Sequence, residues 1–99
     1  MDVHLRIKKI YMEQIISGEK TIEWRSASSF NNKKFEKKNL KHLILYYEAT
    51  KKRVRAKVEK VKLVKRPKHI DKTLVTTDFC WKIYLGKIEV YFVQEKSKE

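Results

Sequence analysis

Val3, Leu5 and Ile7 alternate with His4, Arg6 and Lys8, the period-two pattern of a strand with one face buried. The period changes at Lys9. Ile10, Ile15 and Ile16, with Tyr11 and Met12 beside them, fall at near-helical spacings and stop at Gly18, a residue suited to the C-terminal end of a helix. This predicts a short helix over about 9–17. Thr21 to Arg25 alternates again, with Ile22 and Trp24 on one side and Thr21, Glu23 and Arg25 on the other. A second strand is therefore expected directly after the helix, with Trp24 packed inside and the polar trio on the opposite face.

Between Ser26 and Lys41 the chain is Ser, Asn and Lys around Phe30 and Phe35, which reads as a long loop or short irregular helix pinned by two aromatic anchors. His42 to Tyr47, with Leu43, Ile44, Leu45 and Tyr46, is a continuous apolar run of strand length and predicts a central strand covered on both faces. Val54, Ala56 and Val58 then alternate with Arg53, Arg55 and Lys57, whereas Val61 and Leu63 follow on the other parity. A bulge near Glu59 and Lys60 reconciles the two halves, as bulges turn corners in small barrels; two short strands with a break are the alternative. Pro67 ends this ribbon. Thr77 or Asp78 is a cap for a short helix carrying Phe79, Trp81, Ile83 and Tyr84 as far as Gly86. Ile88, Val90 and Phe92 form a last strand, and the polar residues 94–99 are expected to fray. With no internal repeat and no linker-like stretch, residues 1–99 read as a single α+β domain.

Composition changes this picture through charge. The 25 Lys and Arg against 12 Asp and Glu leave a net charge of +13, a self-repulsion that favours an anionic partner. Nucleic acid is the first candidate. A membrane surface is the second, but the basic residues are spread through strands instead of along one amphipathic helix, and lipid-anchor motifs are absent, so no membrane partner is expected. Residues 51–72 hold eleven Lys or Arg against Glu59 and Asp71 alone. Arg53, Arg55 and Lys57 share a strand face, with Lys60 and Lys62 beyond them, and this ribbon is expected to touch a nucleic-acid backbone in a salt-dependent way. A merely soluble outer barrel face is the alternative. The single Cys80 cannot form an internal disulfide, residues 1–11 are too charged for a signal-peptide apolar segment, and no apolar run is long enough to cross a bilayer. The expected compartment is the reducing cytoplasm.

Gly18-Glu19-Lys20-Thr21-Ile22-Glu23-Trp24-Arg25 places a turn, a lysine, a glutamate and an arginine at the mouth of a strand. Gly18 lets the chain reverse, so Lys20 emerges where it can point into a cleft. Glu23 and Arg25 lie two apart on one face and can pair while the guanidinium keeps donors for a phosphate or base edge. The alternative is a solvated face with a modest salt bridge. The segment resembles the G-x-K-x-x-E-x-R signature of ASCH domains, and the order of elements around it extends the resemblance over nearly the whole chain. That resemblance implies a PUA-like open β-barrel of about five to six strands, with a helix after the first strand and a short helix before the last. It also implies a cleft beside the first helix that holds RNA or a nucleoside-like ligand. Deacylase-like ASCH members match this chain at Lys20, but their Thr nucleophile corresponds to Glu23, so that activity is not carried over. A different hydrolytic role, with Glu23 as general base and Lys20 stabilising developing negative charge, stays chemically open.

Other chemistry is thinly supported. His4, His42 and His69 are far apart and lack Cys or acidic neighbours at ligand spacing, so neither a metal nor another cofactor is expected. Cys80 lies between Phe79 and Trp81, which suits a buried, inert thiol. Two glycines cannot make a phosphate-cradling loop. Trp24, Tyr46, Tyr47 and Trp81 are candidates for base stacking, worth about 1–3 kcal/mol per base, and Tyr47 and Trp81 are the two expected to face a ligand. The expected function is RNA or nucleotide-ligand binding through Lys20, Glu23 and Arg25. A small hydrolase acting on a modified nucleoside or RNA and a regulatory protein-interaction domain are the alternatives.

Overall fold

The computed structural model describes residues 1–36, 39–47 and 50–93. Its elements run β1 (Asp2–Arg6), α1 (Lys9–Ser17), β2 (Ile22–Ser26), α2 (Ser29–Phe35), β3 (His42–Tyr46), β4 (Lys52–Lys65) and β5 (Phe79–Phe92). The strands form one mixed sheet in the order β1-β3-β4-β5-β2, curled into a half-barrel. β1 runs parallel to β3, and every other pairing is antiparallel.

Alternation decides which side is the core. Val3 and Leu5 of β1, Leu43 and Leu45 of β3, Val54 and Ala56 of β4, and Ile83 and Leu85 of β5 all face the concave side. Met12 and Ile15 of α1 and Phe35 of α2 close over them. Each such aliphatic burial is worth about 1.5–3 kcal/mol, more than helix propensity contributes to a nine-residue helix, so packing is what holds α1 in place. Gly18 ends α1 with φ 87°, and its N–H donates to the Ile15 carbonyl. Ile44 is buried on the convex side, so β3 is covered on both faces.

β4 and β5 are each 14 residues long. At about 3.3 Å per residue, the pair accounts for most of the 50 Å long dimension. One end of this hairpin pairs with β3 and the other with β2, and the register slips between Ala56 and Val58 and back between Val58 and Lys60. This two-step bulge is the cause of the parity change from Val58 to Val61. Gly86 sits at the slip, where an added Cβ would lie 1.9 Å from Glu59 Oε1.

The structure corrects one element and decides between readings at two others. The segment from Thr77 to Gly86 is not a helix: Phe79 opens β5. Trp81, Ile83 and Leu85 share the inner face of that strand, and Cys80, Lys82 and Tyr84 alternate outward; the cluster of aromatics hid a strict period of two. Of the two readings of 26–41, the helix is the one that forms, α2, because Ser28 accepts the Asn31 N–H and caps it; Phe35 is buried but Phe30 is exposed, so one of the two expected aromatic anchors holds. The barrel has five strands among the described residues and stays open, since β1 and β2 stand at opposite ends of the order. The expected frayed tail, 94–99, lies outside the described residues. No helix of those residues is long and apolar enough to cross a membrane.

Candidate ligand cleft

The open side of β2 is where backbone chemistry is left to side chains. Leu85 donates its N–H to the Thr21 carbonyl, so in an antiparallel ladder the odd residues of β2 bond β5 while Ile22, Trp24 and Ser26 turn their amide groups to the open edge. Each is met by a side chain. Lys20 Nζ donates to the Ile22 carbonyl at 2.7 Å, Glu23 Oε1 accepts the Trp24 N–H at 3.2 Å, and Asn31 Nδ2 donates to the Ser26 carbonyl at 2.9 Å.

Lys20, Glu23 and Arg25 come together on that edge. Lys20 Nζ stands 3.4 Å from Glu23 Oε1, and Arg25 Nη2 stands 3.4 Å from Glu23 Oε2. Glu23 is 5% exposed and sits on the inner side of the strand. A carboxylate so far from water needs compensation, and the two cations supply it. Arg25 Nη2 also donates to the Arg6 carbonyl at 2.8 Å, bridging the end of β2 to the end of β1 across the barrel opening. Lys20 lies over the Tyr11 ring, 5.5 Å from its centroid, which ties the turn after Gly18 back to α1.

These residues line a cleft of about 800 Å³. One wall is α1 with Tyr11 and Gln14, the floor is β2, and the opposite wall is the 66–78 segment with His69, Ile70 and Leu74. That segment is closed on itself by Arg66 Nη1 on the Val75 carbonyl at 3.0 Å, and it is docked by Thr76 N–H on Ser26 Oγ at 3.1 Å and by Val75, which is fully buried. Asp71 accepts the Thr73 N–H at 2.9 Å, and those bonds to Thr73 hold its carboxyl below the usual range. Mixed apolar and charged lining at this size suits one small or nucleotide-sized group.

The structure distributes the other expected site residues differently. Trp24 is half-buried and faces outward: His69 meets it edge-on at 6.1 Å between centroids, and Lys82 Nζ lies 5.4 Å from its ring. The expectation of Trp24 inside and Glu23 outside is thus inverted, because β2 is an edge strand whose inner face meets the cleft. Trp81 is 7% exposed, belongs to the core and donates its indole N–H to Asn32; it does not line the cleft. Tyr47 packs half-buried against the core and is also outside it. Of the ribbon, Arg53 donates to the Thr50 and Lys52 carbonyls and lies over Tyr46, and Arg55 pairs with Glu89 at 3.6 Å and lies over Tyr91. Both arginines are partly spent on their own sheet. Lys57, Lys60 and Lys62 are exposed. His4 is exposed, and His42 Nδ1 lies 3.1 Å from Asp2 Oδ1. Burial pushes the Cys80 thiol up.

Sequence reasoning missed Tyr11, His69, Ile70 and Leu74 as cleft residues. The usable signal was the isolated apolar pins Ile70, Leu74 and Val75 in an otherwise polar stretch, which mark a loop that docks. Comparisons with protein-family models, with curated proteins and with solved structures find no match to this chain.

Proposed function

We propose that this chain is a binding module for RNA or a nucleotide-like ligand, as the ASCH resemblance implies, with the ligand's recognised group seated in the cleft along β2. The observation that carries the reading is the convergence of Lys20, Glu23 and Arg25 on one concave wall. Arg25 has a fork of five donors of which one nitrogen is engaged. A phosphate or ring carbonyl can take the rest. Tyr11 and Trp24 are aromatic residues in the cleft's lining.

Binding is favoured over turnover because both oxygens of Glu23 are occupied, Oε1 by Lys20 and the Trp24 N–H and Oε2 by Arg25. Activating a water would cost one of these contacts. The test is titration of single-stranded RNA and of cytidine monophosphate into the wild type, Lys20→Ala and Arg25→Ala at about 50 mM salt, where phosphate contacts are strongest. Each substitution is expected to weaken binding about tenfold, equivalent to about 1.4 kcal/mol. Absence of binding by the wild type, or affinities unchanged in both variants, overturns the reading.

A further inference from the structure

The strongest feature outside the cleft is on the convex side of the sheet, where the basic ribbon meets Lys82. Lys62 stands directly across from Lys82, and Lys60 directly across from Tyr84, while Lys82 in turn faces Trp24 on β2. Cross-strand neighbours on one face are about 4.5–5.5 Å apart at Cβ, and like charges placed so are destabilising. Lys82 Nζ lies 4.9 Å from the Tyr84 ring centroid and 5.4 Å from that of Trp24. No carboxylate of the described residues pairs with Lys60, Lys62 or Lys82. The arginines of the same ribbon are different, Arg53 being engaged by the Thr50 and Lys52 carbonyls and Arg55 by Glu89. Three ammonium groups thus stand together with no carboxylate of the described residues paired to them, and the charge acts on its surroundings. Lys62 lowers the pKa of Lys60, and the hydrogen bond from Lys82, with the charges of Lys82, Lys62 and Lys60, lowers that of Tyr84.

We propose that Lys60, Lys62 and Lys82, gathered around Tyr84 on the outer face of β4 and β5, form a second anion site that takes the phosphodiester backbone of a single strand whose recognised nucleotide occupies the cleft. Trp24 is the link: it lines the cleft and is in register with Lys82, so a strand leaving the cleft over β2 meets Lys82 first and then Lys62 across the sheet. The inference rests on the RNA reading above and adds a path and a direction to it. It also explains a division of labour. The cleft's cations are tied to Glu23 and select, whereas the outer lysines have no carboxylate partner among the described residues and contribute affinity without sequence preference.

The experiment compares a 12-nucleotide oligouridylate with cytidine monophosphate as probes, over a salt series, for the wild type, the exposed-face variant Lys60→Gln/Lys62→Gln/Lys82→Gln, and Lys20→Ala. For single strands the salt slope is about 0.7 per neutralised phosphate, so removing three contacts is expected to reduce the oligonucleotide's slope by about 2. The triple variant should lose oligonucleotide affinity while its affinity for cytidine monophosphate stays within about twofold, a free-energy change of about 0.4 kcal/mol. Lys20→Ala should weaken both probes. An oligonucleotide that binds the triple variant with the wild-type affinity and slope overturns the outer site and leaves the cleft reading standing. No binding of either probe to the wild type overturns both. Circular dichroism of the triple variant, whose replaced side chains lie on the sheet surface, confirms that the fold is kept.

Discussion

Glu23 is the residue on which the cleft's geometry turns. It is the buried carboxylate between a lysine and an arginine, both partly shielded, with side-chain exposures of 18% and 26% against its own 7%. Removing one member of such a set strands the others, which costs more than the pair contributes while intact. Glu23→Gln keeps the shape and an acceptor for the Trp24 N–H but leaves Lys20 and Arg25 without a counter-charge. We expect it to lower unfolding free energy by about 1–3 kcal/mol, read from urea denaturation at neutral pH. A variant as stable as the wild type would mean that solvent already screens the cluster. Little of this could be read from the chain alone. Alternation puts Glu23 and Arg25 on one face, but whether that face is wet or buried depends on what packs against β2, and the end of β1 that meets Arg25 lies 19 residues away in the chain.

At the scale of elements, the turn from α1 into β2 is what aims Lys20. Gly18 adopts φ 87° at the end of α1, a left-handed conformation that costs a residue with a Cβ about 1–2 kcal/mol. Space is not the obstacle, since nothing lies within 4 Å of the position a Cβ would take. Gly18→Ala is therefore expected to destabilise by about 1 kcal/mol through the backbone alone, and to weaken ligand binding because Lys20 N–H is anchored to the Gln14 carbonyl across the same turn. Thermal unfolding and a ligand titration check the two parts; an unchanged Tm would show that the turn relaxes freely. Elements with a clean period were readable from the sequence: the alternation in Val3–Ile7 and the apolar run at β3 leave few choices. β5 was not, because Phe79, Trp81, Ile83 and Tyr84 fit a helical face nearly as well as a strand. Only the cross-strand pairing with β4 along its whole length separates the two. α2 was obscured for a different reason, its stability resting on a Ser28 cap and Phe35 burial instead of on an apolar stripe.

For the molecule as a whole, the question is whether attraction in local pairs or repulsion in the total charge dominates. The net charge is +13. Against it, among the described residues, stand the Glu23 cluster and weak pairs such as Lys9 with Glu13 at 3.9 Å, Arg55 with Glu89 at 3.6 Å and, when the imidazole is protonated, Asp2 with His42 at 3.1 Å. Exposed pairs of this kind are worth about 0–1 kcal/mol each and are themselves screened by salt. The repulsion is summed over 25 Lys and Arg along a molecule 50 Å long, and at about 0.1 M salt the screening length is about 10 Å. Added salt therefore removes more repulsion than attraction. The buried Glu23 cluster is screened least, because ions do not enter it. We expect the Tm to rise between about 20 and 200 mM sodium chloride; a gain of 1 kcal/mol corresponds to about 4–8 °C for a chain of this size. An anion that binds the folded state should raise it further at equal ionic strength, by mass action on the native form. Calorimetry in chloride and then in oligouridylate at matched ionic strength separates the two contributions. A Tm that falls as chloride is added would mean that the few pairs outweigh the excess charge, and the need for an anionic partner would lose its physical basis.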